Sequence, residues 1–197
     1  VSEHEMFGVQ IREHDNRYHY AEEWLSLVKR MWCDTRPFDF KGDYFDLKEV
    51  LCLIKELAEY ENALSEVEIT VHELYKDGFG EKPYFRFLVA ESSNTIVALS
   101  FYWIRYSTWK GPTMHLEDLI VSKKYRKKGI GKALLSNFIK FANSLGAKRI
   151  EWAVLNWNTD AISFYEFNGA KVSNEWYITQ MNESAIQNFL KKHNGSK

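Results

Sequence analysis

Cysteine is scarce in this sequence, since Cys33 and Cys52 are the only two among 197 residues. Two cysteines cannot build the disulfide framework of a small secreted protein, and the cysteine and histidine spacings of zinc sites are missing. We therefore expect a protein of a reducing compartment, the cytoplasm, with no bound metal.

Long apolar runs and a large charge excess are missing as well. No apolar stretch approaches the ~20 residues that a membrane-spanning helix requires, and residues 1–5 lack the pattern of a signal peptide. The formal net charge is −1, whereas dedicated nucleic-acid-binding proteins usually carry a large positive excess. We expect neither a membrane nor a nucleic acid as a partner.

Apolar and aromatic side chains are plentiful, at 45% and 16% of the residues, which is enough for the core of one globular domain. Acidic side chains are concentrated between residues 43 and 73, where nine of them are accompanied by only two lysines, Lys48 and Lys55. Such an acidic stretch suits a cationic substrate, and an ordinary solubilising surface explains it equally well.

The chain divides into a main domain with two flanking segments. Residues 1–36 are predicted to form a separate extension with a strand at 7–12 and a helix at 20–31. The main domain is placed at residues 37–185, and residues 186–197 are predicted to be a tail.

Apolar periodicity in the main domain predicts a mixed α/β order around one sheet. Its first strand is either residues 38–40 or the segment 7–12, and a turn is expected at Gly78-Phe79-Gly80. Helices are predicted at about 47–60, 70–75, 132–145 and 160–167, and strands at about 84–91, 95–106, 115–121, 149–155 and 176–180.

The clearest chemical signal is the segment 126–131, Arg-Lys-Lys-Gly-Ile-Gly, which lies between a predicted strand and a predicted helix. Glycines let the backbone pass close to a ligand, and the free N–H groups at a helix start point towards anions. The segment therefore indicates a phosphate site. Taken alone, it is equally compatible with a solvated basic face, a targeting run or a nucleic-acid patch.

A second signal is an Asn-Trp-Asn segment that ends at Asn158 and leads into the helix at 160–167, which carries Tyr165. Asn158 is a good helix cap, because its side-chain oxygen can accept from first-turn N–H groups. Tyr165 has two interpretations, a core tyrosine with a satisfied hydroxyl or a phenol that serves as a general acid.

Glu117 and Asp118 lie at the end of the strand that precedes the glycine turn, and in a regular strand they point to opposite faces. A carboxylate there can take a proton from an amine, directly or through a water, and the N–H groups of residues 119–121 can bind an acyl oxygen if the strand bulges. The alternative is a partnered or edge-exposed acid with a structural role.

These segments occur in an order that resembles the diamine acetyltransferases of the GNAT superfamily, the spermidine/spermine and thialysine N-acetyltransferases. The resemblance implies an α/β GNAT fold, with a central mixed, mostly antiparallel sheet that is flanked by helices and splayed at the acetyl-CoA site. It also implies a homodimer. The matching segments lie between residues 38 and 180, at 53–61, 77–81, 88–91, 106–111, 116–118, 125–131 and 154–158.

The resemblance also implies a role for each matching residue. Glu117 is the base and Tyr165 the general acid. The substrate ammonium groups are bound by Tyr60, Glu61, Glu117, Asp118 and Glu175. The cosubstrate, acetyl-CoA, is bound by Leu119, Ile120, Val121, Arg126, Lys127, Lys128, Gly129, Ile130, Gly131, Asn158, Thr159, Asp160 and Ala161.

Three departures from the family pattern bear on function. Lys127 stands where the family often has glycine, and we expect a lysine to fit because only its backbone is needed. Ser107 stands where the spermidine-preferring members have aspartate, which favours the thialysine-acetylating branch. The segment before Glu175 is shorter than in the family, which leaves its substrate contact open.

We therefore predict an N-acetyltransferase that moves the acetyl group of acetyl-CoA to a primary amine of a small cationic substrate, a thialysine-like amino acid or a diamine, by direct attack. The alternative acceptor is an amine of a protein or peptide. The alternative class is a non-catalytic acetyl-CoA-binding module in which residues 1–36 dock a partner.

Overall fold

The computed structural model describes residues 47–80, 82–93 and 95–194. These residues form two compact units, which divide between Ala153 and Val154. The elements predicted at 7–12, 20–31 and 38–40 lie outside the described residues.

Two helices open the first unit, α1 (Leu47–Tyr60) and α2 (Val71–Phe79). The bounds of α1 confirm the prediction, and its buried side chains recur at helical spacing. A capping box fixes the start of α2, because Thr70 Oγ1 accepts from the Glu73 N–H while the Glu73 carboxylate accepts from the Thr70 N–H at 2.8 Å.

The turn predicted at Gly78-Phe79-Gly80 is wrong, since α2 continues through Phe79. Gly78 serves close packing within the helix, because a Cβ at this position would lie 2.6 Å from the Phe85 ring. Phe79 stacks on Tyr75 with ring centroids 5.6 Å apart. The glycine signal in the sequence thus marks a contact between a helix and an aromatic ring.

A four-stranded sheet follows, with strands β1 (Arg86–Ser92), β2 (Thr95–Ser107), β3 (Gly111–Val121) and β4 (Arg149–Glu151) in spatial order β1-β2-β3-β4. The first three strands are antiparallel, and β3 and β4 are parallel. The predicted mixed, mostly antiparallel sheet is confirmed.

The parallel connection between β3 and β4 contains the helix α3 (Ile130–Ser144). This helix ends as predicted at Gly146, whose φ of 72° is left-handed. The N–H of Ala147 donates to the Ala142 carbonyl at 3.0 Å, which completes a Schellman cap.

The pairing of β3 with β4 is short. It joins Thr113 to Arg149, Met114 to Ile150 and His115 to Glu151, after which β3 continues to Val121 paired with β2 but not with β4. The strand predicted at 149–155 therefore ends at residue 151. On the β4 side, the backbone groups of the last part of β3 have no strand partner among the described residues, and this gap is the expected splay.

Helices of the first unit cover both faces of the sheet. One face carries Leu99 and Ile120, which join the buried side chains of α1 in a single core cluster. The opposite face carries Tyr102, whose ring packs against Phe138 and Phe141 of α3 at 5.0 and 5.6 Å. Alternation along β2 places Leu99 and Tyr102 on opposite faces, so each strand is held from two sides.

The second unit contains α4 (Thr159–Phe167) and α5 (Glu183–Asn194). Helix α4 confirms the prediction, whereas α5 was not predicted. The strand predicted at 176–180 is wrong, since these residues form no ladder in the described structure. The sequence pattern of a strand is present there, but Trp176, Tyr177 and Ile178 are at least 77% exposed, and a strand needs a neighbour to pair with.

Candidate active site

The turn between β3 and α3 has the geometry of an anion site. Gly129 occupies the N-cap of α3 with a left-handed φ of 81°, and no side chain caps the first N–H groups of the helix. A Cβ at Gly131 would make only an ordinary contact, 3.5 Å from Val121. The fold itself therefore does not require a glycine at residue 131, and its absent side chain leaves the helix start open to a ligand.

Arg126 fixes this turn to two neighbouring elements. Its Nε donates to the Val121 carbonyl at 2.9 Å, and its guanidinium lies over the Tyr60 ring, 5.4 Å from the centroid. Helix α1 adds a second contact, because Glu56 accepts from the Lys123 N–H at 2.9 Å. The C-terminal half of α1 is thus tied to the segment that leads into α3.

Lys127 has a left-handed backbone, with φ at 61°. The expectation that a lysine fits because only its backbone is needed misses this point, since a left-handed backbone disfavours any residue with a Cβ. The glycine that the family often has at this place would adopt the conformation without strain.

A β-bulge reshapes the end of β3. Tyr102 pairs with Leu116, but Phe101 pairs with Asp118, so Glu117 is the extra residue. The bulge lies just before residues 119–121, where sequence analysis had considered one. It also changes the orientation expected for the two acids.

Glu117 and Asp118 lie on the same face of the sheet. The indole Nε1 of Trp103 donates to Glu117 Oε2 at 3.0 Å, while Asp118 lies opposite Phe101. Phe101 and Trp103 alternate on β2 and therefore share a face. A regular strand would place these two acids on opposite faces. They share a face because the extra residue of the bulge shifts the alternation of side chains by one position.

This face carries a cluster of three interacting carboxylates. Burial, together with the charges of Glu117 and Glu61, raises the pKa of Asp118 to about 6. Burial also raises the pKa of Glu61, which follows the last residue of α1. The Glu117 side chain is 54% exposed. The cluster is therefore accessible and suited to a cationic group.

Two residues at this cluster were missed by sequence analysis, Trp103 and His115. The His115 ring lies 5.0 Å from the indole, and its Nε2 is 3.6 Å from Glu117 Oε2. Counting back equally along both strands from the hairpin turn places Trp103 opposite His115, as observed. The pairing of Trp103 with His115 could therefore have been predicted from the sequence, whereas the bulge that brings Glu117 to these two residues could not.

Ser107 closes the hairpin between β2 and β3. Its Oγ accepts from the N–H groups of Trp109 and Lys110, both at 3.2 Å, and the residue is buried. Ser107 therefore has a structural role in the turn.

The remaining predicted residues belong to the second unit. Asn158 caps α4 as predicted, because its Oδ1 accepts from the Ala161 N–H at 3.2 Å. Thr159 and Asp160 form the first turn of the same helix. Tyr165 is buried on α4 with its ring 5.4 Å from that of Phe164. Glu175 is exposed, and its N–H donates to Ser173 Oγ at 3.3 Å.

The described part of the chain has no group of three or more His, Cys, Asp or Glu side chains arranged to hold a metal ion. Nor does any of its helices have the length and apolar character needed to cross a membrane.

Comparisons with known proteins identify the family of the chain. A family model described as the acetyltransferase (GNAT) family matches residues 29–170. The thialysine N-epsilon-acetyltransferase of Bos taurus is 35% identical over 158 residues, which cover 75% of this chain and 93% of the relative. A spermidine/spermine N(1)-acetyltransferase-like protein of Homo sapiens is 33% identical over 73% of this chain and 23% of its own length.

Solved structures share the fold at lower identity. An integron cassette protein from the V. cholerae mobile metagenome has a TM-score of 0.62 at 21% identity, covering 77% of this chain and 94% of that one. An aminoglycoside N-acetyltransferase in complex with CoA has a TM-score of 0.52 at 16% identity, covering 69% and 92%.

Fold, site and relatives together define an acetyl-CoA-dependent N-acetyltransferase. The chain belongs to the GNAT family and, within it, to the diamine acetyltransferases.

Proposed function

We propose that the protein acetylates the terminal primary amine of a small cationic substrate, a thialysine-like amino acid or a short diamine, by direct attack of that amine on the thioester. The observation that carries this proposal is the cluster of Glu61, Glu117 and Asp118 on the bulged face of β3. The cluster lies in the unit that also contains the anion turn, so one ligand of each charge sign has a site there.

Relatives support an amino acid with a terminal amine as the substrate. Those of Bos taurus, Mus musculus and Caenorhabditis elegans are named thialysine N-epsilon-acetyltransferases, and one of Arabidopsis thaliana, 44% identical over 73 residues, is named an L-ornithine N5-acetyltransferase. Ser107 agrees with this preference, because it leaves the hairpin turn without the carboxylate of the spermidine-preferring members.

The open helix start supports the assignment of acetyl-CoA to the turn. The N–H groups of residues 129–131, with Lys127, Lys128 and Arg126, would hold the diphosphate. The β4-side edge of residues 119–121 would hold the acyl arm, and the family resemblance also assigns residues 158–161 to acetyl-CoA. When bound, acetyl-CoA supplies an activated acetyl group and a thiolate as the leaving group.

Two side chains would move the protons. The Glu117 carboxylate, half-exposed at the bulge, accepts a proton from the substrate ammonium, directly or through a water, which frees the nitrogen lone pair for attack. The Tyr165 phenol gives its proton to the leaving sulfur. Asp118, Glu61 and Tyr60 bind the second cationic group of the substrate, and the exposed Glu175 is a further candidate for this contact.

A panel of acceptors tests the proposal, with thiol release measured for thialysine, ornithine, putrescine, spermidine, spermine and a lysine-containing peptide. We expect the highest kcat/KM for thialysine, ornithine or putrescine. Preferred turnover of the peptide would support the alternative acceptor instead. No turnover of any amine, with CoA bound in calorimetry, would support the non-catalytic module.

We also propose that the protein is a cytoplasmic homodimer, as the family resemblance implies. Light scattering during gel filtration measures the mass in solution, and a mass near 23.3 kDa, that of one chain, would contradict the dimer.

A further inference from the structure

The bulge that exposes Glu117 also leaves its side chain in need of restraint. A glutamate loses up to ~2 kcal/mol of rotamer entropy when it is held in one geometry, so an exposed one is not fixed without a partner. Asp118 repels the Glu117 carboxylate, since the charge of Glu117 raises the pKa of Asp118. A base in this setting needs a donor that holds it in place.

Trp103 is that donor. Its indole Nε1 lies 3.0 Å from Glu117 Oε2, a normal hydrogen-bond length. An indole N–H can only donate, and the rigid ring fixes its direction. Because this bond engages Oε2, the other oxygen, Oε1, remains available to the substrate.

His115 supports the indole from the neighbouring strand. The two rings are 5.0 Å apart and inclined by 39°, and the His115 side chain is only 19% exposed. Its Nε2 is 3.6 Å from Glu117 Oε2, which is too long for a hydrogen bond. His115 therefore packs against Trp103 and acts on the carboxylate only through its electrostatic field.

The charged groups around Glu117 are few in the described structure. His115 and Asp118 flank it on β3, and Glu61 approaches from the end of α1. Glu151 lies opposite His115 on β4, and Arg105 and Arg149 both pair with it. Arg105 and Arg149 pair with Glu151, and His115 is too far from Glu117 for a hydrogen bond, so Trp103 is the direct restraint on Glu117.

We propose that Trp103 is a positioning residue for the reaction, which aims the Glu117 carboxylate at the substrate amine, and that His115 holds the indole in place. The proposal rests on the base role given to Glu117 above. It predicts that the effect of Trp103 on turnover is transmitted through Glu117.

Trp103→Phe tests this role, because it removes the N–H and keeps an aromatic ring against His115. We expect kcat to fall ~10-fold, the effect of losing one hydrogen bond, with the KM for acetyl-CoA unchanged.

A double-variant cycle separates positioning from packing. In a Glu117→Gln background, measured at high pH where free amine is abundant, Trp103→Phe should cause no further loss. A tenfold loss that persists in this background would overturn the proposal, since Trp103 would then act without Glu117. An unchanged rate in the single Trp103→Phe variant would overturn it as well.

Two substitutions of His115 test the supporting role. His115→Phe keeps the ring contact and should reduce kcat less than threefold, whereas His115→Ala removes the support and should approach the Trp103→Phe rate. His72→Ala, at an exposed histidine on α2, is the matched control. Equal rates for the two His115 variants would overturn the support, and thermal unfolding of each variant shows whether the fold is kept.

These outcomes distinguish the inference from the proposed function. If Glu117→Gln lowers turnover and Trp103→Phe does not, the positioning role is wrong and the base role stands. If Glu117→Gln leaves turnover and its pH profile unchanged, the base role of Glu117 is wrong.

Discussion

At the scale of single residues, Asp118 links substrate binding to stability. Its pKa is about 6 in the folded protein, against an ordinary value of 3.8. Because the folded pKa is raised, the contribution of Asp118 to stability is fully present below pH 4 and is lost as pH rises through 6. Above pH 6 the folded protein therefore holds a destabilising buried charge.

We expect Asp118→Asn to raise the free energy of unfolding at pH 8 by ~1–2 kcal/mol, less than the ~3 kcal/mol that the full pKa difference allows. The KM for a dicationic amine should rise ~10-fold, because a carboxylate that binds ammonium is lost. Urea unfolding at pH 4 and pH 8 measures the first effect. An equal effect at both pH values would contradict the linkage.

Tyr165 is the residue whose role depends most on family resemblance. If its phenol protonates the leaving sulfur, Tyr165→Phe should lower kcat by ~10²-fold with little change in the amine KM. The phenylalanine keeps the ring that packs beside Phe164, so the thermal midpoint serves as the control. A parental kcat would leave Tyr165 as a core residue, the other interpretation of the sequence.

The left-handed backbone of Lys127 should have a measurable effect on stability. Lys127→Gly and Lys127→Ala both remove the charge, but only glycine adopts the left-handed backbone freely. We expect the glycine variant to be more stable than the alanine variant by ~0.5–1 kcal/mol. This difference already includes the greater unfolded-state entropy of glycine, which opposes the relief of strain. Equal denaturation midpoints would show that the turn relaxes instead.

At the scale of elements, a substitution in the first turn of α3 should change ligand affinity without lowering the stability of the fold. Gly131→Ala should leave stability unchanged or raise it by up to ~1 kcal/mol, because the helix prefers alanine and the space is free. Affinity for CoA should fall at least ~10-fold, because the new methyl group would lie at the helix start where the diphosphate is proposed to bind. Asn137→Ala, exposed on the same helix, should change neither quantity in calorimetry.

Local signals in the sequence were enough to predict α1, α3 and α4. Their apolar side chains recur at helical spacing, and Asn158 and Gly146 mark a start and an end. Helix α5 could have been found the same way, since Asn182 caps it and Ile186, Phe189 and Leu190 share one face. The continuation of α2 through Gly78 could not, because it depends on the distant ring of Phe85.

The strands show more clearly that contacts between distant segments cannot be predicted from local sequence. The sequence predicted Glu117 and Asp118 as candidates but placed them on opposite faces. The bulge that unites them is a property of the register between two strands, and it has no local signature. The partners of Glu117 were missed for the same reason. The length of β4, three residues, depends on how many residues of β3 and β4 pair with each other.

At the scale of the whole molecule, the distribution of charge separates two kinds of site although the net charge is only −1. Carboxylates gather where β3 meets the end of α1, and lysines and arginine gather in the turn that leads into α3. Composition alone did not predict this separation, because residues 47–73 and 123–132 are far apart in sequence and are brought together only by the fold, where Glu56 accepts from the Lys123 N–H.

The contact of Arg126 with Tyr60 has a consequence for the order in which two ligands are taken up. Tyr60 precedes Glu61, so a ligand that orders the turn carrying Arg126 also orders the neighbour of one acid proposed to bind the amine. Linkage then requires each ligand to tighten the other by the same factor. We expect calorimetric titrations of CoA, with and without a saturating diamine, to differ at least ~3-fold in Kd, and Arg126→Leu to abolish the difference even where it weakens both affinities.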